Sequence, residues 1–305
     1  MNPRADDTIH YQDARTTLYS GDATTILGDL PSKSVDCVVT SPPCWDPDAH
    51  QTRMSSNHGR LLGDEATSSR YLNSLGEVFA QLYRVLAHTG SVWLNLGDSY
   101  SAEPPNDVST KALPGMPWRV AFRLQADGWI LRNAIVWNRT RALSGEVRSD
   151  PWNRYHVVFL LTKQRRYFFN LDAIREPLTH SKSASGDAGV SGKHRQSVSD
   201  PAAGCSSSAR SLGKNPGDVW SFPPEPIFDN HPTPFPVGLP RRCIAAGCPE
   251  KGIVLDPFSG AATTGLAARE LGRSYVGIDL NPGLHNVALR RLGLKSDRTN
   301  WSAAA

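Results

Sequence analysis

The sequence predicts an α/β fold with a mostly parallel central sheet. Short strand-like runs alternate with helical stretches along the 305 residues, which is the rhythm of consecutive βαβ units. The clearest unit is IVLDPFSGAATTGLAARELGRSYVGID, in which a buried strand, a turn of small residues, a helix and a second strand follow one another. We therefore expect one large α/β domain that carries an insertion.

The first βαβ unit lies near the amino terminus. TTLYS, residues 16–20, predicts a short strand that Gly21 and Asp22 close, and a helical stretch then leads to the strand VDCVVT, residues 35–40. The sequence TSPPCW begins at Thr40. It therefore lies in the loop at the carboxyl end of that strand, which is where open α/β sheets place their ligands.

The middle of the chain predicts further helices and strands. Residues 68–87 carry apolar side chains at helical spacing, and His88-Thr89-Gly90 predicts the end of that helix. SVWLNLGDSY predicts a buried strand, residues 117–126 predict a helix, and WILRNAIVW and HVVFLLTK predict two more strands. The segment between these last two runs predicts an exposed basic loop with four arginines, namely Arg139, Arg141, Arg148 and Arg154.

Composition excludes several classes of protein. Hydrophobic residues make up 39% and charged residues 20% of the chain, as in ordinary soluble domains. No apolar run approaches the roughly 18 residues of a membrane span, and MNPRADDTIH lacks the apolar core of a signal peptide, so we expect a cytoplasmic protein without a membrane partner. The five cysteines are scattered without a CxxC pair, which predicts neither disulfides nor a metal site. The net charge of +4 permits a polyanionic partner.

The last βαβ unit has the features of a nucleoside-cofactor site. A turn of small residues lets a ligand approach the backbone at the amino end of a helix. Asp256 to Gly260 form that turn, and Asp279 follows at the end of the next strand, where its carboxylate can accept both hydroxyls of a ribose. The alternative interpretation is a structural turn followed by a surface acid.

Several motifs, taken together in their order, resemble those of the DNA amino-methyltransferases, the N4-cytosine and N6-adenine family. DPFSGAATTG with GIDLNP resembles the family's cofactor motif, and TSPPCW resembles its catalytic motif. The catalytic motif comes first, as in the circularly permuted β type. The resemblance extends from Leu18 to Leu292 and implies a Rossmann-like fold, S-adenosyl-L-methionine as the cofactor, and methylation of double-stranded DNA. One departure is the turn, where Gly260-Ala261-Ala262 replaces the usual Gly-x-Gly.

The resemblance also implies a set of cofactor-binding residues. Phe258 is expected against the methionine part, Asp22 at the adenine amine, and Asp279 at the ribose. Asp22 has an alternative role as an ordinary turn residue. The full expected set is Asp22, Thr233, Phe235, Asp256, Pro257, Phe258, Ser259, Gly260, Thr263 and Asp279.

The catalytic loop raises a choice between two chemistries. In amine methylation Ser41 contacts the target base, a carbonyl held by Pro42 and Pro43 accepts an amine proton, and Trp45 stacks on the base, which must be flipped out of the helix. Cys44 stands where the family usually has an aromatic residue. A carbon-5 enzyme would use that thiol as the nucleophile, although the strand end LNLGD lacks the glutamate that such enzymes have. We interpret Cys44 as a packing thiol.

The target base and the partners follow from the same resemblance. Serine before the two prolines favours cytosine N4, whereas adenine N6, carbon-5 chemistry and an inactive DNA-binding protein stay open as alternatives. DNA phosphates are expected to contact arginines, namely Arg139, Arg141, Arg148, Arg154, Arg165 and Arg166, whereas Lys193 and Arg195 are candidate readers of the DNA groove. A restriction endonuclease of the same system is a further expected partner, and the chain is expected to be a monomer or a homodimer.

The predicted organisation has four regions. Residues 1–175 form the catalytic half and residues 218–295 form the cofactor-binding half of one domain. Between them, the composition of residues 176–217 shifts to Ser, Gly, Ala, Lys and Arg, which predicts a loop or partly disordered insert. In the permuted family this insert occupies the place of the target-recognition region. Residues 296–305 form a tail.

Overall fold

The computed structural model describes residues 8–45, 62–98, 113–139, 155–178, 213–223, 225 and 235–295. Within these residues a single sheet has nine strands in the order β1-β2-β9-β8-β3-β4-β6-β5-β7. The strands are β1 Ile9–Gln12, β2 Thr16–Ser20, β3 Val35–Thr40, β4 Leu86–Leu96, β5 Ile130–Asn138, β6 Tyr155–Thr162, β7 Val219–Ser221, β8 Ile253–Asp256 and β9 Ser274–Asp279.

Most of the sheet is parallel, which confirms the predicted fold class. β2, β9, β8, β3 and β4 are joined by parallel pairings, whereas β1 pairs antiparallel with β2, and β6 pairs antiparallel with both β4 and β5. The carboxyl ends of the parallel strands therefore meet at one edge of the sheet, which we call the carboxyl edge. The reversed strand β6 begins at this edge and ends at the opposite one.

Helices cover both faces of the sheet. The helices are α1 Ala23–Asp29, α2 Ser68–Val85, α3 Met116–Ala126, α4 Gly238–Gly247, α5 Thr263–Glu270 and α6 Pro282–Leu292. Buried side chains of α1, α2 and α3 form one apolar core with the sheet, and those of α4, α5 and α6 form a second core on the other face. None of the helices in the described part of the chain combines the length and apolar character that crossing a bilayer requires.

The boundary between α2 and β4 differs from the prediction. The helix was expected to run to Ala87, but it ends at Val85 and the strand begins at Leu86. Leu86 pairs with Val35 of β3. Pairing in the sheet therefore places Leu86 and Ala87 in the strand, although their local periodicity predicts helix. Farther along, the ends of the predicted insert are joined, because Glu176 and Lys214 exchange two backbone hydrogen bonds of 2.9 Å.

Candidate active site

The two predicted motifs meet at the centre of the carboxyl edge. From β3 the chain crosses to β4 on one side, and from β8 it crosses to β9 on the other side. Such a reversal opens a crevice between the two strands at their carboxyl ends. The catalytic loop, residues 41–45, follows β3, and the cofactor turn, residues 257–262, follows β8. The hydroxyl of Thr40 donates to the Asp256 carboxylate at 2.7 Å, so the two strand ends are bonded directly.

Asp256 is the buried centre of this junction. Its carboxylate also accepts the Thr264 hydroxyl at 2.9 Å and the Phe258 amide at 3.1 Å. Burial raises the pKa of Asp256 from 3.8 to about 6, and the three hydrogen bonds oppose that rise. A carboxylate with three internal donors serves first to hold the cofactor turn and the catalytic strand together.

The cofactor turn has an unusual backbone. Gly260 has φ of 49° and Ala262 has φ of 56°, both in the left-handed region that glycine tolerates best. Ala262 is fully buried and adopts this conformation at a cost of about 1–3 kcal/mol. The departure from Gly-x-Gly therefore leaves the backbone path intact, and the surroundings of Ala262 must hold it there.

Acidic residues at neighbouring strand ends surround the turn. The Asp279 carboxylate accepts the Gly260 amide at 2.8 Å, and its main-chain carbonyl accepts the Gly21 amide at 3.0 Å. Asp22 follows Gly21 and caps α1, because its carboxylate accepts the Thr25 amide at 2.9 Å. Asp22 thus has the turn role that was its alternative interpretation, and it also lies at the carboxyl edge beside Asp279.

The remaining predicted cofactor residues divide into three groups. Phe258 and Phe235 are half-buried, and Pro257, Ser259 and Thr263 are buried within or beside the turn. Thr233 lies outside the described residues. Small residues, an aromatic ring and two acids at one strand edge fit a nucleoside cofactor with an amino-acid part, as the resemblance implies.

The catalytic loop is held in place by helix α2 and by the segment that precedes this helix. The Tyr71 hydroxyl donates to the Pro43 carbonyl at 2.9 Å, so that carbonyl is engaged and the Pro42 carbonyl is the candidate acceptor for an amine. Gly63 has φ of 99°, and a Cβ there would lie 2.7 Å from the Cys44 carbonyl oxygen. Only glycine allows this approach, which fixes the path of the loop.

The structure corrects the prediction for Trp45. Its side chain is 3% exposed and packs in the apolar core, and its indole nitrogen donates to the Glu65 carbonyl at 2.8 Å. A ring enclosed in this way offers no face to a base. Trp45 anchors the catalytic loop to the segment before α2, because burial of its large apolar ring system stabilises this contact.

Two residues that the sequence analysis did not select complete the loop's surroundings. The Asn95 amide nitrogen donates to the Ser41 hydroxyl oxygen at 3.1 Å and lies 3.4 Å from His156 Nδ1. Asn95 Oδ1 is buried and has no hydrogen-bond partner in the described part of the chain. Burial, and then the nearby Arg139 charge, lowers the pKa of His156 to about 4, so its ring is neutral at ordinary pH and Nδ1 can accept a hydrogen bond. The position of Asn95 at the end of a buried strand was the available signal.

Cys44 is exposed, and its sulfur lies 4.0 Å from the Gly97 carbonyl oxygen. This contact joins the catalytic loop to the end of β4. The exposed thiol does not have the buried environment that the predicted packing role implies. The neighbouring carbonyl oxygen does not favour the negative charge of a thiolate, so this contact does not activate Cys44 as a nucleophile.

The predicted DNA-contacting arginines divide between the two edges of the sheet. Arg139 follows β5 at the carboxyl edge and lies over the Trp137 ring, with 5.9 Å between the guanidinium carbon and the ring centroid. Arg165 and Arg166 follow the end of reversed strand β6, where Gln164 contacts His88 at 3.1 Å. Eight strand residues separate the edges by about 25 Å. This distance disfavours the predicted contacts of Arg165 and Arg166 with any DNA that is bound at the catalytic loop. Outside the described residues lie Arg141, Arg148, Arg154, Lys193 and Arg195.

Comparisons with known proteins identify the family of this chain. The DNA methylase model of the N6/N4 family matches residues 35–290. The type II methyltransferase M.XycI of Xanthomonas campestris pv. cyanopsidis is 35% identical over 95% of this chain and 92% of its own. The DNA adenine methyltransferase YhdJ of Escherichia coli K12 is 28% identical over 92% of this chain and 83% of its own.

A solved structure shares the fold. The PvuII DNA methyltransferase, described as cytosine-N4-specific, superimposes with a TM-score of 0.67 at 17% identity, over 96% of this chain and 91% of that chain. The predicted family is confirmed by the extent of the family match, which spans both the catalytic loop and the cofactor turn. The chain belongs to the N6/N4 family of DNA methylases.

Proposed function

We propose that the protein transfers a methyl group from S-adenosyl-L-methionine to the exocyclic 4-amino group of a cytosine flipped out of double-stranded DNA. One observation carries the proposal: Ser41 stands at the carboxyl end of β3 beside the cofactor turn, with Asn95 donating to its hydroxyl oxygen. The site thus presents donors and acceptors to a base edge at the junction where a nucleoside cofactor binds.

The hydrogen bonds around Ser41 match an amine beside a ring nitrogen. Because Asn95 donates to the Ser41 oxygen, the hydroxyl proton is directed outward and can be donated to N3 of cytosine. The Pro42 carbonyl can accept one proton of the 4-amino group. Holding the amine in this way directs its lone pair toward the methyl carbon, so positioning supplies most of the rate.

The cofactor turn and its acids hold the methyl donor. Asp279 is assigned to the ribose hydroxyls, Phe258 to the methionine part and Asp22 to the adenine. S-adenosyl-L-methionine would supply an electrophilic methyl group: the amine nitrogen would bond to the methyl carbon as the carbon–sulfur bond breaks, leaving S-adenosyl-L-homocysteine, and the methylated amine would lose one proton to solvent. The hydrogen bond between Thr40 and Asp256 keeps the cofactor turn and the catalytic loop in a fixed position relative to each other.

The choice of cytosine rests on Ser41, because family members that methylate adenine mostly begin this motif with Asp or Asn. Adenine offers the same pattern of an amine beside a ring nitrogen, so N6 methylation is the second candidate. It is favoured by the 28% identity to an adenine enzyme over most of the chain. Carbon-5 methylation by Cys44 is disfavoured by membership of a family that modifies amines.

DNA is assigned to the carboxyl edge, with Arg139 as a phosphate contact. Arg139→Ala is expected to raise the KM for DNA several-fold and to flatten its salt dependence. The double variant Arg165→Ala/Arg166→Ala, altered at the opposite edge, is the matched control and is expected to leave that KM unchanged. Equal effects of the two variants would contradict this placement of DNA.

Residues 176–217 are assigned to target recognition between the catalytic half, 1–175, and the cofactor half, 218–295. Glu176 and Lys214, near the two ends of this segment, are paired through their backbones. The type II relatives suggest a restriction endonuclease with the same target sequence as a partner of the system.

Product identification tests the proposal. DNA is incubated with the protein and methyl-labelled S-adenosyl-L-methionine, digested to nucleosides and separated by chromatography with mass detection. Label in N4-methyldeoxycytidine is the expected result. Label in N6-methyldeoxyadenosine would establish the second candidate, label in 5-methyldeoxycytidine would overturn amine chemistry, and no label with folded protein would favour a DNA-binding protein that has lost activity.

A further inference from the structure

We propose that helix α6 clamps the cofactor turn through Arg291 and His285, which act as positioning residues for S-adenosyl-L-methionine. Both side chains reach back from α6 to the turn, and each is bonded to a different part of it. The inference rests on the cofactor assigned above but not on which base is methylated. It gives α6 a function in cofactor affinity besides covering the sheet.

Arg291 holds the carboxyl end of the turn. One of its guanidinium nitrogens, Nη1, donates to the Ala261 carbonyl at 2.9 Å and to the Thr263 hydroxyl at 2.8 Å. These two acceptors stand on either side of Ala262. Because the donor is charged, each bond is stronger than one between neutral groups.

Ala262 is the residue that most needs such support. It is fully buried and its backbone is left-handed, a conformation that an L-residue keeps only when its surroundings impose it. Arg291 fixes the peptide group before Ala262 and the side chain after it. The hydrogen bonds of Arg291 therefore hold Ala262 in a left-handed conformation that a glycine at this position would adopt without such support.

His285 holds the amino end of the turn. The imidazole is fully buried, with Nε2 lying 3.2 Å from the Ser259 hydroxyl and Nδ1 lying 3.2 Å from the Ser20 hydroxyl at the end of β2. Burial, with the nearby His10 ring, lowers the pKa of His285 to about 3. The ring is therefore neutral at ordinary pH, and its one donor and one acceptor match the two hydroxyls.

The coupling between Arg291 and Ala262 provides the test. Calorimetric titration of the full chain with S-adenosyl-L-methionine, without DNA, is expected to show about tenfold weaker binding for Arg291→Met, the effect of losing charge-assisted hydrogen bonds. In an Ala262→Gly background the same change is expected to cost less than about threefold, because glycine keeps the left-handed conformation unaided. Arg290→Met, on an exposed position of the same helix, is the control and should bind like the wild type.

Several outcomes separate the clamp from the proposed cofactor. Binding by Arg291→Met within twofold of the wild type, or an equal loss in both backgrounds, would overturn the clamp. If Arg291→Met does not fold, Arg291→Lys with and without Ala262→Gly gives the same comparison, since lysine keeps a charged hydrogen-bond donor on a side chain that reaches less far. Rescue by glycine would support the clamp, and equal loss would again overturn it. A wild type that binds no S-adenosyl-L-methionine would overturn the cofactor assignment, and the clamp with it.

Discussion

Replacing Thr40 by valine tests whether the buried Asp256 supports the catalytic loop separately from the cofactor turn. Valine keeps the volume of threonine but removes the hydroxyl that donates to the carboxylate at 2.7 Å. A hydrogen bond to a charged group contributes about 1.5–3 kcal/mol, so we expect the free energy of unfolding at pH 7.5 to fall by about 2 kcal/mol. Thr264→Val removes the donor at 2.9 Å to the same carboxylate and is the matched control, with a similar loss expected in urea denaturation.

The two variants should differ in kinetics. Thr40 adjoins Ser41, so Thr40→Val is expected to lower kcat about tenfold by displacing the acceptor site. Thr264 lies in the first turn of the helix that follows the cofactor turn, so Thr264→Val should mainly raise the KM for S-adenosyl-L-methionine. Steady-state rates at saturating DNA distinguish the two effects. If both variants lose similar stability but change the same kinetic parameter, the reasoning that Asp256 joins two separate functions is wrong.

Three further predictions concern the loop and the buried acid. Tyr71→Phe loses the hydroxyl that donates to the catalytic loop and should cost about 1 kcal/mol in denaturation while lowering kcat; an unchanged kcat would argue against this support. Gly63→Ala meets the Cys44 carbonyl at 2.7 Å and should lower the Tm more than Gly128→Ala, where φ is 98° but nothing lies within 4 Å; equal shifts would mean that backbone strain alone matters. The pKa of Asp256 is raised from 3.8 to about 6 in the folded protein, so protonation of this group favours folding. Its contribution to the free energy of unfolding, about 3 kcal/mol, is therefore fully present below pH 3.8 and is lost as pH rises through 6. Asp256→Asn should lack that slope in unfolding measured from pH 4 to pH 7, and an unchanged slope would assign it to other groups.

Local pattern was sufficient for the elements that carry strong periodicity. Helix α2 buries Tyr71, Leu75, Phe79 and Leu82 at helical spacing, and the prediction misplaced only its end by two residues. The βαβ unit around the cofactor turn is equally local, because its turn, helix and acid follow one another in sequence. Its meeting with the catalytic loop followed from the rule that parallel strands present their carboxyl ends at one edge.

The features that sequence did not reveal depend on distant pairing. Arg165 and Arg166 were predicted to contact DNA as part of the basic region of residues 138–166, but β6 pairs antiparallel with β4, which places them at the edge opposite the catalytic loop. Trp45 was expected to face the base, yet a neighbouring segment covers it. Asn95 and His156 come from separate strands, and only the sheet order brings them to Ser41.

Single-turnover rates of methyl transfer by Ser41→Ala and Cys44→Ala decide which of the two residues takes part in the chemistry. Cys44→Ala is expected to methylate DNA at nearly the wild-type rate and on the same nucleoside. Ser41→Ala is expected to be slower by about a hundredfold, the usual effect of losing one positioned donor in an active site. An inactive Cys44→Ala beside an active Ser41→Ala would contradict the proposed amine chemistry, because the thiol would then be the group that attacks the base.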